Sequence, residues 1–206
     1  MKKAFVLIFI FALAFQANAQ TTFKPGIRAG ANFSTLLNTN LDNRTDFYVG
    51  GLLAIKFAKH YTLQPEINYS RQGAKGRLYD DYYINPFVVN AYPEESYSIQ
   101  YININAINKF YLFKGFHAMI GPSFDIKIAD NFGNFEENVE GVDIGVNFGL
   151  GYTLPMGLTI ETRVKLGTID IFGNDDDYYE NNKTYADDVV LNSTLQVGLS
   201  YTFKQL

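Results

Sequence analysis

The sequence predicts an all-β protein: an eight-stranded antiparallel up-and-down transmembrane β-barrel with short periplasmic turns and long extracellular loops. Three observations predict this fold class. Apolar and polar residues alternate with period two through much of the chain. Aromatic residues make up 16% of the chain and charged residues only 18%, which is low for a surface that faces water. Beyond residue 19, no apolar run reaches the roughly 18 residues of a membrane-spanning helix, so any spanning elements must be strands.

The amino-terminal residues 1–19 have the pattern of a secretory signal peptide. A basic start at Lys2 and Lys3 is followed by a short apolar run and a small-x-small cleavage site. We therefore expect cleavage near Ala19 and one mature barrel domain over residues 20–206. The sequence contains no Cys, which excludes disulfides and a lipid attached to a cysteine.

Four strands can be placed in the first half of the chain, each with one apolar and one polar face. The fourth covers about residues 97–111, and a tight link at residues 58–60 joins the second to the third. Their apolar faces contain, in order, Ile27, Ala29, Ala31 and Phe33; Phe47, Val49, Leu53, Ile55 and Phe57; Tyr61, Leu63, Pro65, Ile67 and Tyr69; and Ile102, Ile104, Ala106 and Phe110.

Four more strands follow, the seventh over residues 158–169 and the eighth over residues 189–203. The apolar faces of the fifth, sixth and eighth contain, in order, Phe116, Ala118, Ile120, Pro122, Phe124, Ile126 and Ile128; Val142, Ile144, Val146, Phe148, Leu150, Tyr152 and Leu154; and Leu195, Val197, Leu199, Tyr201 and Phe203. The connections after strands two, four and six are short, and those after strands one, three, five and seven have roughly a dozen to twenty residues. This alternation predicts hairpin order with every long loop at one end.

The polar face distinguishes a membrane barrel from a soluble lipocalin-like barrel. It consists mostly of Gly, Asn, Thr and Ser with isolated charges, whereas a solvated face would carry abundant Lys and Glu. Small residues suit the interior of an eight-stranded barrel, which is just wide enough for side chains to fill. Unpaired buried ions are costly, so we expect the inward charges to pair. The predicted lumen ion network comprises Arg28, Lys56, Glu66, Lys109, Asp143, Glu161 and Arg163.

Aromatic residues on the apolar face gather near the strand ends, while Ile, Val, Leu and Ala occupy the strand centres. This distribution is typical of the two aromatic girdles that lie at membrane–water interfaces. The predicted girdle residues are Phe47, Phe57, Tyr61, Tyr69, Phe110, Phe116, Tyr152 and Tyr201.

Three phrases of the sequence together resemble a known family: GIRAGANFS at residues 26–34, LQPEINYSRQG at residues 63–73 and AMIGP at residues 118–122. They are similar to the porin-family, or PorT-type, outer-membrane β-barrel proteins of Bacteroidetes, and the likeness extends over about residues 22–203. This resemblance implies an outer-membrane barrel and says little about activity, although a few members are tied to protein secretion. The ending at Tyr201 and Phe203 is similar to the terminal aromatic signal that barrel-assembly machinery binds.

The sequence predicts no enzyme and no cofactor. A hydrolase site on an outer-membrane barrel would need a His at the outer rim, yet His60 lies in a short turn and His117 begins the fifth strand at the opposite end. The acidic residues of the last long loop are a candidate cation site. Their spacing matches no EF-hand, so a solvated acidic loop is favoured over a metal site. These residues are Asp175, Asp176, Asp177 and Glu180.

Four hypotheses about function stay open. The first is a non-enzymatic barrel that displays surface loops for envelope maintenance, adhesion or partner binding. The others are a narrow pore for ions or small solutes, an accessory of protein secretion, and a soluble periplasmic lipocalin-like ligand binder. The net charge of −4 disfavours nucleic acid as a partner. Expected partners of a monomeric barrel are outer-membrane lipid, lipopolysaccharide and the barrel-assembly machinery.

Overall fold

Eight antiparallel strands form a closed barrel in a computed structural model that describes residues 21–76, 95–132, 139–172 and 189–203. Each strand pairs with its neighbours in the sequence, and the last strand pairs with the first. The predicted fold class and up-and-down order are confirmed. The predicted signal peptide lies outside the described residues. Within the described residues, none of the secondary structure is a helix of the length and hydropathy needed to cross a membrane.

The strands are long, and the three connections at one end of the barrel are short. The strands are β1 (Thr22–Leu36), β2 (Asp42–Ala58), β3 (Tyr61–Gly76), β4 (Glu95–Phe113), β5 (Phe116–Asp130), β6 (Val142–Thr153), β7 (Leu158–Gly167) and β8 (Asn192–Thr202). Residues 59–60, 114–115 and 154–157 connect β2 to β3, β4 to β5 and β6 to β7. Gly115, at φ 88°, adopts a left-handed conformation that suits glycine in a two-residue hairpin. We call this end of the barrel the turn end and the opposite end the loop end.

The prediction of a long first loop was wrong. β1 and β2 are connected by residues 37–41 alone, because β2 begins at Asp42. Its first residues are polar and look like a loop by composition, yet Arg44 pairs with Ser34 of β1. Strand pairing uses backbone groups, so a polar segment can extend a hairpin when its partner strand is also present.

Apolar side chains cover the outside of the barrel, and polar side chains fill the inside. Ile144, Phe148 and Leu199 are 47%, 46% and 49% exposed, whereas Glu161 is 3% exposed. A soluble lipocalin-like barrel would have its apolar side chains inside, so that hypothesis is wrong. The fourth strand follows the same rule, because Asn103 and Lys109 are buried.

Aromatic residues on the outer wall form contacts near both ends of the strands. At the turn end, Tyr61 packs against Phe57 and Phe110, with ring centroids 6.0 and 5.5 Å apart. At the loop end, Phe47 packs against Tyr69 at 5.9 Å. With a rise of about 3.3 Å per residue and a tilt of about 40°, the stretch of β2 from Phe47 to Phe57 spans about 25 Å, the height of a lipid-facing apolar band. The aromatic contacts therefore mark the two membrane boundaries.

Candidate functional site

The lumen contains an ion cluster with Glu66 at its centre. Arg28 Nη1 lies 2.6 Å from Glu66 Oε2, and Arg163 binds both oxygens of the same carboxylate at 2.8 Å. Arg28 Nη2 and Arg163 Nη2 each lie 3.0 Å from Glu161 Oε1, and Lys109 Nζ lies 3.5 Å from Glu161 Oε2. These five side chains come from β1, β3, β4 and β7, and each is at most 3% exposed. The cluster therefore ties opposite walls of the barrel together.

Neutral groups complete the shell around Glu66. Gln64 Nε2 donates to Glu66 Oε1 at 2.7 Å, and Asn105 Nδ2 donates to Oε2 at 3.2 Å. The Arg28 guanidinium lies over the ring of Tyr48, 4.4 Å from its centroid. Glu66 thus accepts hydrogen bonds from two arginines and two amides, which compensates a carboxylate that has no contact with bulk water.

Two residues of the predicted network lie elsewhere. Lys56 is exposed at the turn end of β2, beyond the closed part of the lumen. Asp143 is buried nearer the loop end, where it pairs in register with Asp125 of β5. Lys165 forms an ion pair with Asp125, so these groups make a second, smaller cluster. Asp125 and Lys165 were missed as network members; their signal was a charge at an inward position of the alternation.

A chain of hydrogen-bonded amides and hydroxyls lies on the loop side of the ion cluster. Gln196 donates to Asn32 at 3.0 Å, and Asn32 donates to Ser70 at 2.9 Å. Gln72 donates to the same Ser70 at 2.9 Å and accepts from Asn192 at 2.6 Å. The chain links β1, β3 and β8 across the lumen. No sequence signal distinguished these residues from the other inward polar ones.

An apolar plug closes the lumen at the loop end. On β4, Tyr97, Ile99 and Tyr101 point inward and are buried, while Ser96 and Gln100 lie on the other face. The polarity of the two faces is thus reversed relative to the membrane band, as expected where the wall leaves lipid and meets water. The plug contains Leu36, Leu41, Ala74, Tyr97, Ile99, Tyr101, Phe132, Val139, Ile171 and Val190, with Phe172 packed against it.

Inward glycines make room for the large lumen side chains. Gly151 pairs in register with His117, which is fully buried and has Nδ1 3.0 Å from the carbonyl oxygen of Gly115. A Cβ at Gly151 would lie 2.6 Å from His117 Nε2 and 2.9 Å from Cε1. Both values are below ordinary van der Waals contact, so the imidazole occupies space that a larger residue would need.

We expect Gly151→Ala to destabilise the barrel by about 1–3 kcal/mol, because the added methyl overpacks the lumen against His117. Gly141→Ala is the matched control, since a Cβ at Gly141 has no heavy atom within 4 Å. Its effect should stay within about 0.5 kcal/mol. Both stability changes can be measured by urea titration of lipid-reconstituted protein, with unfolding monitored by the mobility of unheated samples on gels. Adding His117→Ala to Gly151→Ala should restore part of the loss; equal effects of the two glycine variants would refute the packing argument.

The remaining predicted residues lie outside the ion cluster. His60 is exposed in a turn, where Nδ1 lies 3.0 Å from the carbonyl oxygen of Tyr111. Tyr201 and Phe203 form an edge-to-face ring contact at 5.6 Å at the turn end of β8. The candidate loop cation site at Asp175, Asp176, Asp177 and Glu180 lies outside the described residues.

Comparisons with known proteins agree with this architecture. A family model described as outer membrane protein beta-barrel domain matches residues 16–173. Among solved structures, Neisserial surface protein A is similar at 13% identity and a TM-score of 0.50, covering 90% of this chain and 100% of that chain. Ail, the attachment invasion locus protein of Yersinia pestis, is 12% identical with a TM-score of 0.47, covering 87% of this chain and 98% of that chain. At 13% identity the likeness to Neisserial surface protein A concerns the fold alone. No curated protein sequence matches the chain.

Proposed function

Since this chain belongs to the outer membrane protein beta-barrel domain family, we propose that it is a non-enzymatic integral barrel that displays its loop-end surface for envelope maintenance, adhesion or partner binding. The protein resides in the bacterial outer membrane, as its family does. The proposal includes export by the signal peptide with cleavage near Ala19, and a monomeric barrel. A closer kinship with the PorT-type proteins of Bacteroidetes is part of the same proposal.

The filling of the lumen is the observation that carries this proposal. Along the barrel axis, the ion cluster, the amide chain and the apolar plug follow one another, each with side chains from several strands. A conducting path would need hydrated space past the paired charges of Arg28, Glu66, Glu161 and Arg163 and then past the apolar plug. A closed wall with a filled lumen supports display of the loop-end surface better than conduction.

The proposed partners follow from the outer wall. Outer-membrane lipid and lipopolysaccharide would cover the apolar band between the two sets of aromatic contacts. The barrel-assembly machinery would bind the carboxyl-terminal strand through Tyr201 and Phe203, which are partly exposed near its end. We propose no enzymatic role, because His117 bonds a turn carbonyl inside the lumen at the turn end.

Planar-bilayer recording of the purified full chain tests the proposal against the pore hypothesis. We expect no reproducible conductance steps in 1 M KCl, because paired ions and the apolar plug occupy the lumen. A large trimeric porin in the same bilayers serves as the positive control for detection. Reproducible steps from the wild-type barrel whose size changes in Glu66→Gln would refute the proposal in favour of a pore.

An accessory role in protein secretion has a separate test. It is supported by the resemblance of residues 26–34 and 63–73 to PorT-type proteins. A deletion strain that exports its full set of secreted proteins would exclude this role, while loss of one exported class would support it over simple display.

A further inference from the structure

We propose that Arg44, Asp46 and Arg71, which we call the rim cluster, form a binding site at the loop-end rim of the barrel for a phosphate group of the outer-leaflet glycolipid, lipopolysaccharide. The inference deepens the proposed function, because it rests on the loop end facing the outer leaflet. It assigns a ligand to residues that have no part in the lumen network.

The rim cluster is built around a β-bulge. The register of β2 against β3 shifts between Asn43 and Tyr48, so the chain of β2 departs from regular pairing there. Within this segment, Asp46 Oδ2 lies 2.8 Å from Arg44 Nη2 and 3.5 Å from Arg71 Nε. The Asp46 carboxylate is nearly covered, at 6% side-chain exposure. It therefore acts as a fixed anchor that orients two guanidinium groups.

The charges of the rim cluster do not balance. Two arginines share one carboxylate, which leaves one positive charge. Arg44 is well satisfied, because it also donates to Ser96 Oγ. Arg71 is held less tightly: its side chain is 33% exposed, and its buried Nε, although 3.5 Å from the Asp46 carboxylate, makes no hydrogen bond among the described residues. The hydrogen bond from its Nη2 to Ser98 Oγ is long at 3.5 Å.

The depth of the rim cluster matches that of lipid headgroups. Asp46 directly precedes Phe47 and Arg71 lies two residues beyond Tyr69, so both lie on the loop side of the aromatic pair that marks the membrane boundary. Arg71 pairs in register with Gln100 of β4. On this strand, the outward face changes from apolar at Ile102 to polar at Gln100. Arg71 therefore lies where acyl chains give way to headgroups.

Phosphate is the headgroup chemistry that this arrangement fits. A guanidinium offers donors in a fixed fork that matches two phosphate oxygens, and charge-assisted bonds of this kind are about twice as strong as neutral ones. Near the membrane surface, solvent screening is weaker than in bulk water, which favours the pairing further. The phosphates of lipopolysaccharide lie on its glucosamine headgroup at this depth, so we commit to this lipid as the occupant.

Titration of bisphosphorylated lipid A into the full chain in nonionic detergent, followed by native mass spectrometry, tests the inference. We expect Arg71→Gln to weaken binding about tenfold and Arg71→Lys to weaken it less, because lysine keeps the charge without the fork. Lys56→Gln is the matched control, since it removes one exposed positive charge at the turn end. It should change binding less than about twofold. Lipid A from which the phosphates have been removed should bind the wild-type protein no more tightly than intact lipid A binds the Arg71→Gln variant.

Several outcomes would overturn the inference. Equal affinities of wild type and Arg71→Gln, or equal losses in Arg71→Gln and Lys56→Gln, would remove the rim cluster as the site. Undiminished binding of phosphate-free lipid A would show recognition of sugar or acyl chains. Full competition by inorganic phosphate at low millimolar concentration would indicate a free-phosphate site, and binding of acidic peptides in place of lipid would indicate a protein partner.

The same samples separate this inference from the proposed function. A wild-type barrel that changes its gel mobility on heating and conducts no current, yet binds lipid A no better than Arg71→Gln does, contradicts the rim cluster alone. Wild-type protein that lacks heat-modifiable mobility contradicts the integral barrel itself. If Arg71→Gln does not fold by this criterion, Arg71→Lys replaces it, and unchanged affinity in Arg71→Lys then refutes recognition by the arginine fork.

Discussion

Glu66→Gln is expected to cost the barrel about 3–5 kcal/mol, because it removes one of the two carboxylates that Arg28 and Arg163 share and leaves the buried positive charge in excess. Glutamine keeps the size of the side chain, so packing is nearly unchanged and the loss reports the charge. Urea titration of protein folded in lipid vesicles, followed by the mobility of unheated samples, measures the free energy of unfolding.

Two further variants control this experiment. Lys56→Gln removes a charge outside the ion cluster and should change stability by less than about 0.5 kcal/mol. Adding Arg163→Gln to Glu66→Gln removes one of the two arginines that lost the Glu66 carboxylate, so the double variant should lose less than the sum of the single losses. A loss below about 1 kcal/mol in Glu66→Gln would mean that water enters the lumen and solvates the arginines.

Leu199→Arg is expected to destabilise the barrel by about 2–4 kcal/mol, because it places a charge on the lipid-facing side of the wall. Leu199 is 49% exposed on the outer wall, close to midway between the two sets of aromatic contacts. An arginine there would place its charge among acyl chains near the bilayer centre. In lipid vesicles the loss is measured by the same urea titration.

The control for this prediction is Met156→Arg. Met156 is 60% exposed in the turn between β6 and β7, outside the apolar band, so an arginine there should change stability by less than about 1 kcal/mol. When both variants are measured again in detergent, the difference between their free energies of unfolding should be smaller than in lipid. If Leu199→Arg and Met156→Arg had equal effects in lipid, the outer wall would not contact acyl chains at Leu199.

Alternation predicted the faces of the strands well, even where the pattern was least clear. On β4, Asn103, Asn105 and Lys109 are all buried, as their inward positions predicted. The pattern failed at the loop end, where composition suggested that residues 42–46 form a loop. It also missed the plug, because Tyr97 and Ile99 are apolar residues on the inward face. Outside the membrane the solvent changes from lipid to water, so the same face must change its polarity.

The partners of the inward charges could not be predicted from position alone. Strands in a closed barrel are tilted and staggered, so residues at one height come from different points along their strands. This stagger brings Arg28, Glu66 and Arg163 together and carries Asp143 toward the loop end, beside Asp125. Lys56 has an inward position by alternation, yet it lies past the end of the lumen.

By itself, the sequence determined which side chains face lipid and which face the lumen, because successive residues of a strand point to opposite sides and that rule is local. Only the tertiary structure decided which charges pair, where the plug closes the lumen, and that Arg71 meets Asp46 at the membrane boundary. Those contacts depend on the stagger between strands and on a bulge in β2, and both arise from pairing between segments that are distant in the chain.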